Sequence, residues 1–289
     1  MTQLDQAESV FAEVRPRLFG IAYRMSGSVA DAEDLVQEVW LRWQAADRAA
    51  VVNPAAYLAT AVTRLAINES QSARARRETY VGPWLPEPVD TSADPQLGAE
   101  RGAVLELAVL ALLEKLTPTE RAAYVLREAF DYPYPQIAEI VRTTEVAARQ
   151  LVSRARKRLA GERRARVGAA EQRRLLAAFV AAAEAGDLAG LERLFSEDVV
   201  SYSDSNGKAR AARVPLIGAA TLSKVVAGWG PEFWRGAETE FVEANGQAAV
   251  ALRREGKTYA VVTVTASEAG IDQVLWLVNP DKITAFGAV

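Results

Sequence analysis

Residues 80–90 read YVGPWLPEPVD, and no other stretch limits the fold so strongly. Proline fixes φ, carries no amide hydrogen and drives the residue before it out of the α region. Pro83, Pro86 and Pro88 therefore end any helix that reaches them, and the chain is divided here. A stiff, extended connector is expected, continuing through VDTSADPQL. Trp84 and Leu85 are too apolar for a purely solvated tether, so something must cover them.

Ahead of the connector the pattern is helical. DAEDLVQEVWLRW places Val36, Trp40 and Trp43 on one side, and Asp31, Asp34 and Glu38 on the opposite side. A second helix starts at Asn53-Pro54, a cap followed by proline at the first helical position. It aligns Tyr57, Ala61, Leu65 and Asn68 on one stripe and ends in Arg74, Arg76 and Arg77. With Arg64 and Asn68, this basic helix suits a phosphate backbone, and Tyr57 suits an unstacked base. An acidic stripe alone is ordinary solubilisation. Beside a basic helix it implies two faces, one for a protein and one for nucleic acid.

Beyond the connector, helices are expected over 99–116 and again from Thr117, where TPTE has the form of a capping box. FDYPYPQIAEIVRTTEVAARQLVSRARKRL then holds two helices joined by a polar turn near Arg142–Thr144. The second projects Glu145, Arg149, Ser153 and Arg156 from one face, with Gln150 and Lys157 on its flank. Ala148, Leu151, Ala155 and Leu159 lie opposite. IAEIV supplies a short brace helix, giving the helix-turn-helix arrangement that sets a helix in the major groove. Arginine there bonds guanine bidentately, while Arg154, Arg156, Lys157 and Arg158 suit phosphates. A solvated basic helix is the plainer alternative, and the capped lead-in, brace and turn weigh against it.

After Gly168 the character changes. A helix pair breaks at Ala185-Gly186-Asp187, and VVSYS, AVALRR, TYAVVTVTA and VLWLV alternate as strands, giving an α+β domain with four or so strands. The 289 residues allow two or three domains. Net charge is −3, yet acids crowd 31–38 and bases crowd 149–166. The chain has no cysteine, which excludes disulfides and thiolate zinc sites, and no histidine, the commonest general base. The opening MTQLDQAESVFAEV lacks the basic and apolar regions of a signal peptide, and no apolar run reaches bilayer length. A cytoplasmic protein with no membrane partner is expected.

DAEDLVQEVWLRW, NPAAYLATAVTRLAINESQSARARRE, LTPTERAAYVLREAFDYPYPQIAEIV and RQLVSRARKRL together resemble an extracytoplasmic-function sigma factor of the sigma-70 type. The linker WLPEP and the tail motif Asn279-Pro280-Asp281-Lys282 resemble the subgroup with a SnoaL-like carboxy-terminal extension. That resemblance implies a multidomain fold: two all-α sigma domains, the second with the helix-turn-helix, and an α+β SnoaL-like cone-fold domain. The implied boundaries are 1–79 for sigma region 2, 80–98 for the linker, 99–166 for sigma region 4 and 168–289 for the regulatory domain.

It further implies that Asp31, Asp34 and Glu38 dock on the β′ clamp helices of core RNA polymerase, with the β subunit as a second contact. Arg64, Asn68 and Arg76 would engage the melted −10 element, and Arg149, Gln150, Ser153, Arg156 and Lys157 the −35 duplex within 133–159. The extension would regulate the sigma core in cis through Trp84, Leu85 and Pro86, with Asn206, Gly207 and Lys208 at the interface. Related sequences show DGGGK there. In this chain Asp204-Ser205-Asn206-Gly207-Lys208 stands instead; asparagine tolerates positive φ, so a turn is expected, and the change bears on close backbone approach to a partner.

Cone folds of this kind enclose a cavity, and a catalytic reading names Asp198, Asp204 and Glu240 as acids or bases, with Tyr202 and Tyr259 as pocket polar groups. Cyclase-type members commonly use histidine, which is absent here, so no enzymatic activity and no cofactor are expected. Trp229, Phe233, Trp234 and Trp276 read as core, or as the lining of a pocket for an unidentified small ligand. The alternatives are a helix-turn-helix fused to a catalytic or metabolite-sensing domain, and a plain duplex-binding regulator that works without polymerase.

Overall fold

A computed structural model describes residues 3–92, 105–160, 165–283 and 286, the side chains of 3–6 and 71–78 excepted. The chain forms two compact units: Met1–Thr79 with Asp94–Leu105 and Val109–Glu162, and Tyr80–Ala93 with Glu106–Ala108 and Arg163–Val289. The proline-rich residues 80–93 thus belong to the second unit.

The first unit is helical: α1 (Gln3–Ser26), α2 (Val29–Ala45), a 3₁₀ turn (Arg48–Ala50), α3 (Pro54–Glu78), α4 (Leu107–Leu113), α5 (Pro118–Phe130), α6 (Tyr134–Ile140) and α7 (Glu145–Ala160). Of the expected helix over 99–116, residues 99–104 lie outside the described set, and the helix found is the shorter Leu107–Leu113. Local chemistry fixes the starts. The Ser28 hydroxyl accepts from the Asp31 amide at 3.2 Å. Thr117 and Glu120 form a reciprocal capping box around Pro118. On α2 the buried face is Leu35, Val36, Val39 and Trp43. Among the described side chains of α3 the buried ones are Leu58, Ala59, Val62, Thr63 and Ala66, so the stripe containing Tyr57 and Asn68 is the outward one.

Arginines donating to main-chain carbonyls join the helices that precede the linker to those that follow it. Arg121 reaches Met25 O at 2.6 Å, Arg17 reaches Phe130 O at 3.1 Å, and Arg64 spans Ile140 O and Glu139 O at 3.0 and 2.9 Å.

The second unit carries a six-stranded sheet in the order β2-β1-β6-β5-β4-β3. Its strands are β1 (Phe195–Asp204), β2 (Leu216–Ile217), β3 (Glu238–Ala244), β4 (Gln247–Arg254), β5 (Lys257–Ser267) and β6 (Gly270–Leu277). All neighbours are antiparallel except β1 and β6. Register shifts in the β1–β6, β4–β5 and β5–β6 ladders introduce the irregularities that bend a sheet. Helices α8 (Ala169–Ala185), α9 (Leu188–Leu194) and α10 (Ala219–Trp234) contribute to one core with the sheet, built on Leu176, Phe179, Leu191, Val250, Val262 and Val274. A short α11 (Pro280–Ile283) follows β6. Gln172 on α8 is buried and pins the helix to the sheet, donating to Ala248 O and Val264 O at 3.1 and 2.9 Å and accepting from the Ala248 amide.

The sheet has two strands more than the four stretches read from sequence, and α10 was not anticipated at all. AATLSKVVAGWGPEFW contains two glycines and a proline, poor helix formers. Tertiary packing overrides them: a β-carbon at Gly230 would overlap the carbonyl of Ala183 on α8. Only glycine permits that approach.

Candidate functional site

Two surfaces of the first unit carry the expected polar residues. On α2, Asp34 and Glu38 are exposed and Asp31 is half-buried; Glu38 also accepts from Arg42 at 2.9 Å within the same helix. A carboxylate held only by an exposed i,i+4 pair is readily exchanged for another cation.

The second surface is α7. Arg142 takes a left-handed conformation between α6 and α7, the Thr143 amide closes on Ala138 O, and the Thr144 hydroxyl accepts from the Ala147 amide. Ala148, Leu151, Val152, Ala155 and Leu159 are buried. Arg149, Gln150, Ser153, Arg156 and Lys157 are all exposed. The arginines have partners within the chain. Arg149 pairs with Glu145 and lies 4.3 Å from the Tyr134 ring centroid. Arg156 grips Glu128 through two bonds at 3.1 and 2.6 Å. Arg154 and Arg158 both reach Glu120, at 3.3 and 3.0 Å. Burial alone would raise the Glu120 carboxyl, but Thr117 and the two arginines outweigh it and hold it below its ordinary value.

On α3, Asn68 is exposed, while the Arg64 guanidinium sits on the last carbonyls of α6. The Arg76 side chain lies outside the described residues.

The second unit answers what covers Trp84 and Leu85. Leu85 and Pro86 are buried and Trp84 is half-buried. Asp204, at the end of β1, is fully buried, with 0% exposure. Its carboxylate accepts from the Tyr80 hydroxyl, the Leu85 amide at 2.7 Å and the Lys282 ammonium at 2.7 Å. Lys282 also donates to Leu85 O and stands 4.3 Å from the Trp84 ring centroid. Asn279 donates to the Tyr80 oxygen at 2.8 Å. Burial, then the adjacent Asp204 carboxylate, keeps the Tyr80 hydroxyl protonated by pushing it far up.

The turn after Asp204 closes the clasp. Asn206 and Gly207 both take positive φ, the Asn206 side chain accepts from the Val81 amide at 3.2 Å, and a β-carbon at Gly207 would stand 3.4 Å from Val81. A turn therefore forms here with asparagine and one glycine at positive φ, and it faces the linker at Val81. Lys208 points the other way, to an ion pair with Asp281. Further along, the Val89 and Thr91 amides bond Asn245 Oδ1 and Glu243 O at 2.9 and 3.0 Å, and Asp90 bridges Ala244 on β3.

Of the five groups considered for catalysis, only Tyr259 lines the cavity of the second unit. Asp198 and Glu240 are exposed, Glu240 in a pair with Arg253, and Asp204 is consumed by the clasp. The four aromatic residues read as core or pocket lining divide. Trp234, 2% exposed, does not line the cavity, whereas Trp229, Phe233 and the equally buried Trp276 form one wall of a cavity of about 1220 Å³. Sequence reasoning placed Asp204 at the start of the Asp204–Lys208 turn and weighed it as an acid or base, and gave Tyr80 and Lys282 no individual role. The signal for Lys282 was the Asn279–Lys282 motif itself.

Comparison with known proteins follows the same division. Residues 10–77 match the Sigma-70 region 2 family and residues 106–159 the Sigma-70, region 4 family. The chain is similar to the ECF RNA polymerase sigma factor SigJ of Mycobacterium tuberculosis, 37% identical over 96% of this chain and 93% of SigJ. It is also similar to the probable ECF RNA polymerase sigma factor SigI of that organism, 32% identical over 71% of this chain and 72% of SigI. The crystal structure of M. tuberculosis SigJ superposes with a TM-score of 0.78 at 32% identity, covering 97% of this chain and 99% of the other.

Proposed function

The chain belongs to the extracytoplasmic-function family of RNA polymerase sigma factors, and from that membership we propose how its surfaces divide the task. It binds core RNA polymerase and directs promoter-specific transcription initiation in the cytoplasm, with no chemistry of its own. Asp31, Asp34 and Glu38 meet basic residues on the β′ clamp helices, where complementary charge sets orientation and on-rate more than affinity. The β subunit is a second contact. Asn68 and Arg76, joined by Arg64 once it is released, hold the melted −10 element. Arg149, Gln150, Ser153, Arg156 and Lys157 read the −35 duplex.

The observation that carries this reading is α7: five outward polar residues on a helix whose opposite face is buried against its brace. The bonds from Arg64, Arg121 and Arg17 to carbonyls across the first unit support a closed, unloaded form. By their names the two promoter elements lie roughly 25 base steps apart, or about 85 Å at ~3.4 Å per step. A helical body of this length is only about 35–40 Å across. Loading must therefore open the first unit and free Arg64.

The second unit regulates in cis. It is read as a regulator and not an enzyme because its buried carboxylate is spent on holding Tyr80 and Leu85. Through that grip it governs the segment that connects the two DNA-reading halves.

Runoff transcription with core polymerase and the full chain tests this. Arg149→Ala should lower output about tenfold on templates with an intact −35 element, the loss of one bidentate base contact near the amino end of α7. On templates without that element it should have little effect. Full chain that is folded yet gives no template-specific transcript with core polymerase would refute the reading.

A further inference from the structure

We propose that the cavity of the second unit binds an amphipathic organic anion, and that binding loosens the hold on residues 80–86. The proposal rests on the regulatory reading of this unit, but the cavity's chemistry stands independently of it.

The interior is apolar and aromatic. Trp229 and Phe233 meet edge to face with centroids 4.4 Å apart. Trp276 lies 5.3 Å from Trp229 and 5.8 Å from Phe233, and Leu222, Val226 and Val278 extend the wall. At about 1220 Å³ the space exceeds the roughly 300–1,000 Å³ of ordinary small-molecule sites, so it takes a sizeable apolar body. Four hydroxyls interrupt the wall, Ser201, Ser203, Thr258 and Tyr259, and those of Thr258 and Tyr259 already donate to Phe286 O and Phe233 O. Ser201 already accepts from the Trp276 indole at 3.0 Å, which leaves its own hydrogen to donate.

The lining residues include five cations, Lys208, Arg210, Arg253, Arg254 and Lys257, against a single acid, Glu232. Three of the five are engaged: Lys208 with Asp281, Arg253 with Glu240, and Arg254 with two carbonyls and the Tyr259 ring. Arg210 and Lys257 are exposed and have no ion pair among the described residues. A greasy interior with uncompensated cations selects an apolar molecule that ends in one acid group. A polyanion lacks the means to desolvate here.

One wall of this cavity is the back of the clasp. Lys208 to Ala212 line the cavity, while Asn206 and Gly207 just before them touch Val81, and Arg213 just after them packs on Gly82. Pro280 and Ile283 line it too, and Lys282 between them holds Leu85 and Asp204. The Lys208–Asp281 ion pair fastens the two strips of wall to each other. An acid group that engages Lys208 competes with Asp281 and unfastens them.

The test uses the full chain, with dodecanoate, dodecanol and 1-pyrenebutyrate as probes, binding followed by calorimetry and exchange of the Leu85 amide by hydrogen–deuterium mass spectrometry. Dodecanoate or 1-pyrenebutyrate should bind with 1:1 stoichiometry, the first favouring an acyl body and the second a fused ring, and Leu85 should exchange faster when the site is occupied. Dodecanol should bind more weakly. Arg210→Glu with Lys257→Glu, both on the exposed rim, should remove the preference for the acid, roughly three- to tenfold in Kd, without lowering the melting temperature. Val225→Trp, which narrows the cavity, should weaken every probe. Equal affinity for acid and alcohol, or binding indifferent to both variants, overturns the site. Saturation that leaves Leu85 exchange unchanged overturns the coupling. Runoff transcription on the same unliganded protein scores the sigma reading separately.

Discussion

Both units have an apolar core, but the polar contacts that fasten the segments on either side of the linker differ in kind from those that fasten the linker itself. In the first, the halves before and after the linker meet through arginines that donate to main-chain carbonyls, at Met25, Phe130, Glu139 and Ile140. In the second, a continuous apolar core runs from α8 through the sheet, and Tyr80 and Leu85 of the linker are tied to it through the buried Asp204 carboxylate and its half-buried partner Lys282. Bonds from a cation to a carbonyl can be replaced by bonds to phosphate or water. A buried carboxylate has no such exchange available. On the function proposed above, the first unit reopens on loading while the second grips the linker.

The sharpest way to break this contrast is at the clasp. Lys282→Met leaves Asp204 buried without its cation, and about 3 kcal/mol should be lost. Thermal unfolding should show it as a lowered second-unit transition, with early exchange at Leu85. Retention of wild-type protection there would mean that Tyr80 and the Leu85 amide suffice. A smaller effect is expected in the first unit. Arg17→Ala removes a bond to Phe130 O and a cation over the Tyr132 ring, worth about 1–2 kcal/mol. Because it loosens the closed form, it should raise transcription at limiting polymerase even as it lowers stability. A fall in both would contradict the reopening.

The smallest effect is a pH dependence. Glu120 is held below its ordinary value of 4.5 in the folded chain. Its contribution is therefore complete above that value and fades as pH falls through the lowered folded one. Comparing melting of the wild type and Glu120→Gln at neutral and acid pH should show the gap between them closing on acidification. A constant gap would place the stabilisation in packing rather than charge.

These contrasts were unequally visible in the amino-acid order. The TPTE cap, the polar turn at 142–144 and the buried face of α7 are local, so periodicity and capping chemistry expose them directly. The α10 helix was hidden because Gly228, Gly230 and Pro231 argue against a helix, and only α8, some fifty residues earlier, explains why a glycine belongs there. The clasp was hidden for a related reason. Tyr80, Asp204 and Lys282 are separated by 124 and 78 positions, and no local rule joins them. On α3 the phase was followed correctly, but it marked the outward stripe; the inward one is Leu58, Val62 and Ala66.

The attachment of residues 89–91 to the end of β3 has one more consequence. β3 is one of the two edge strands of the sheet, and Val89, Asp90 and Thr91 satisfy backbone groups at its final residues and the turn beyond. If the linker peels away completely, those amides and carbonyls become a template on which a strand from another molecule can add. Peeling confined to residues 80–86 leaves that edge capped, so a partial release would signal without inviting self-association.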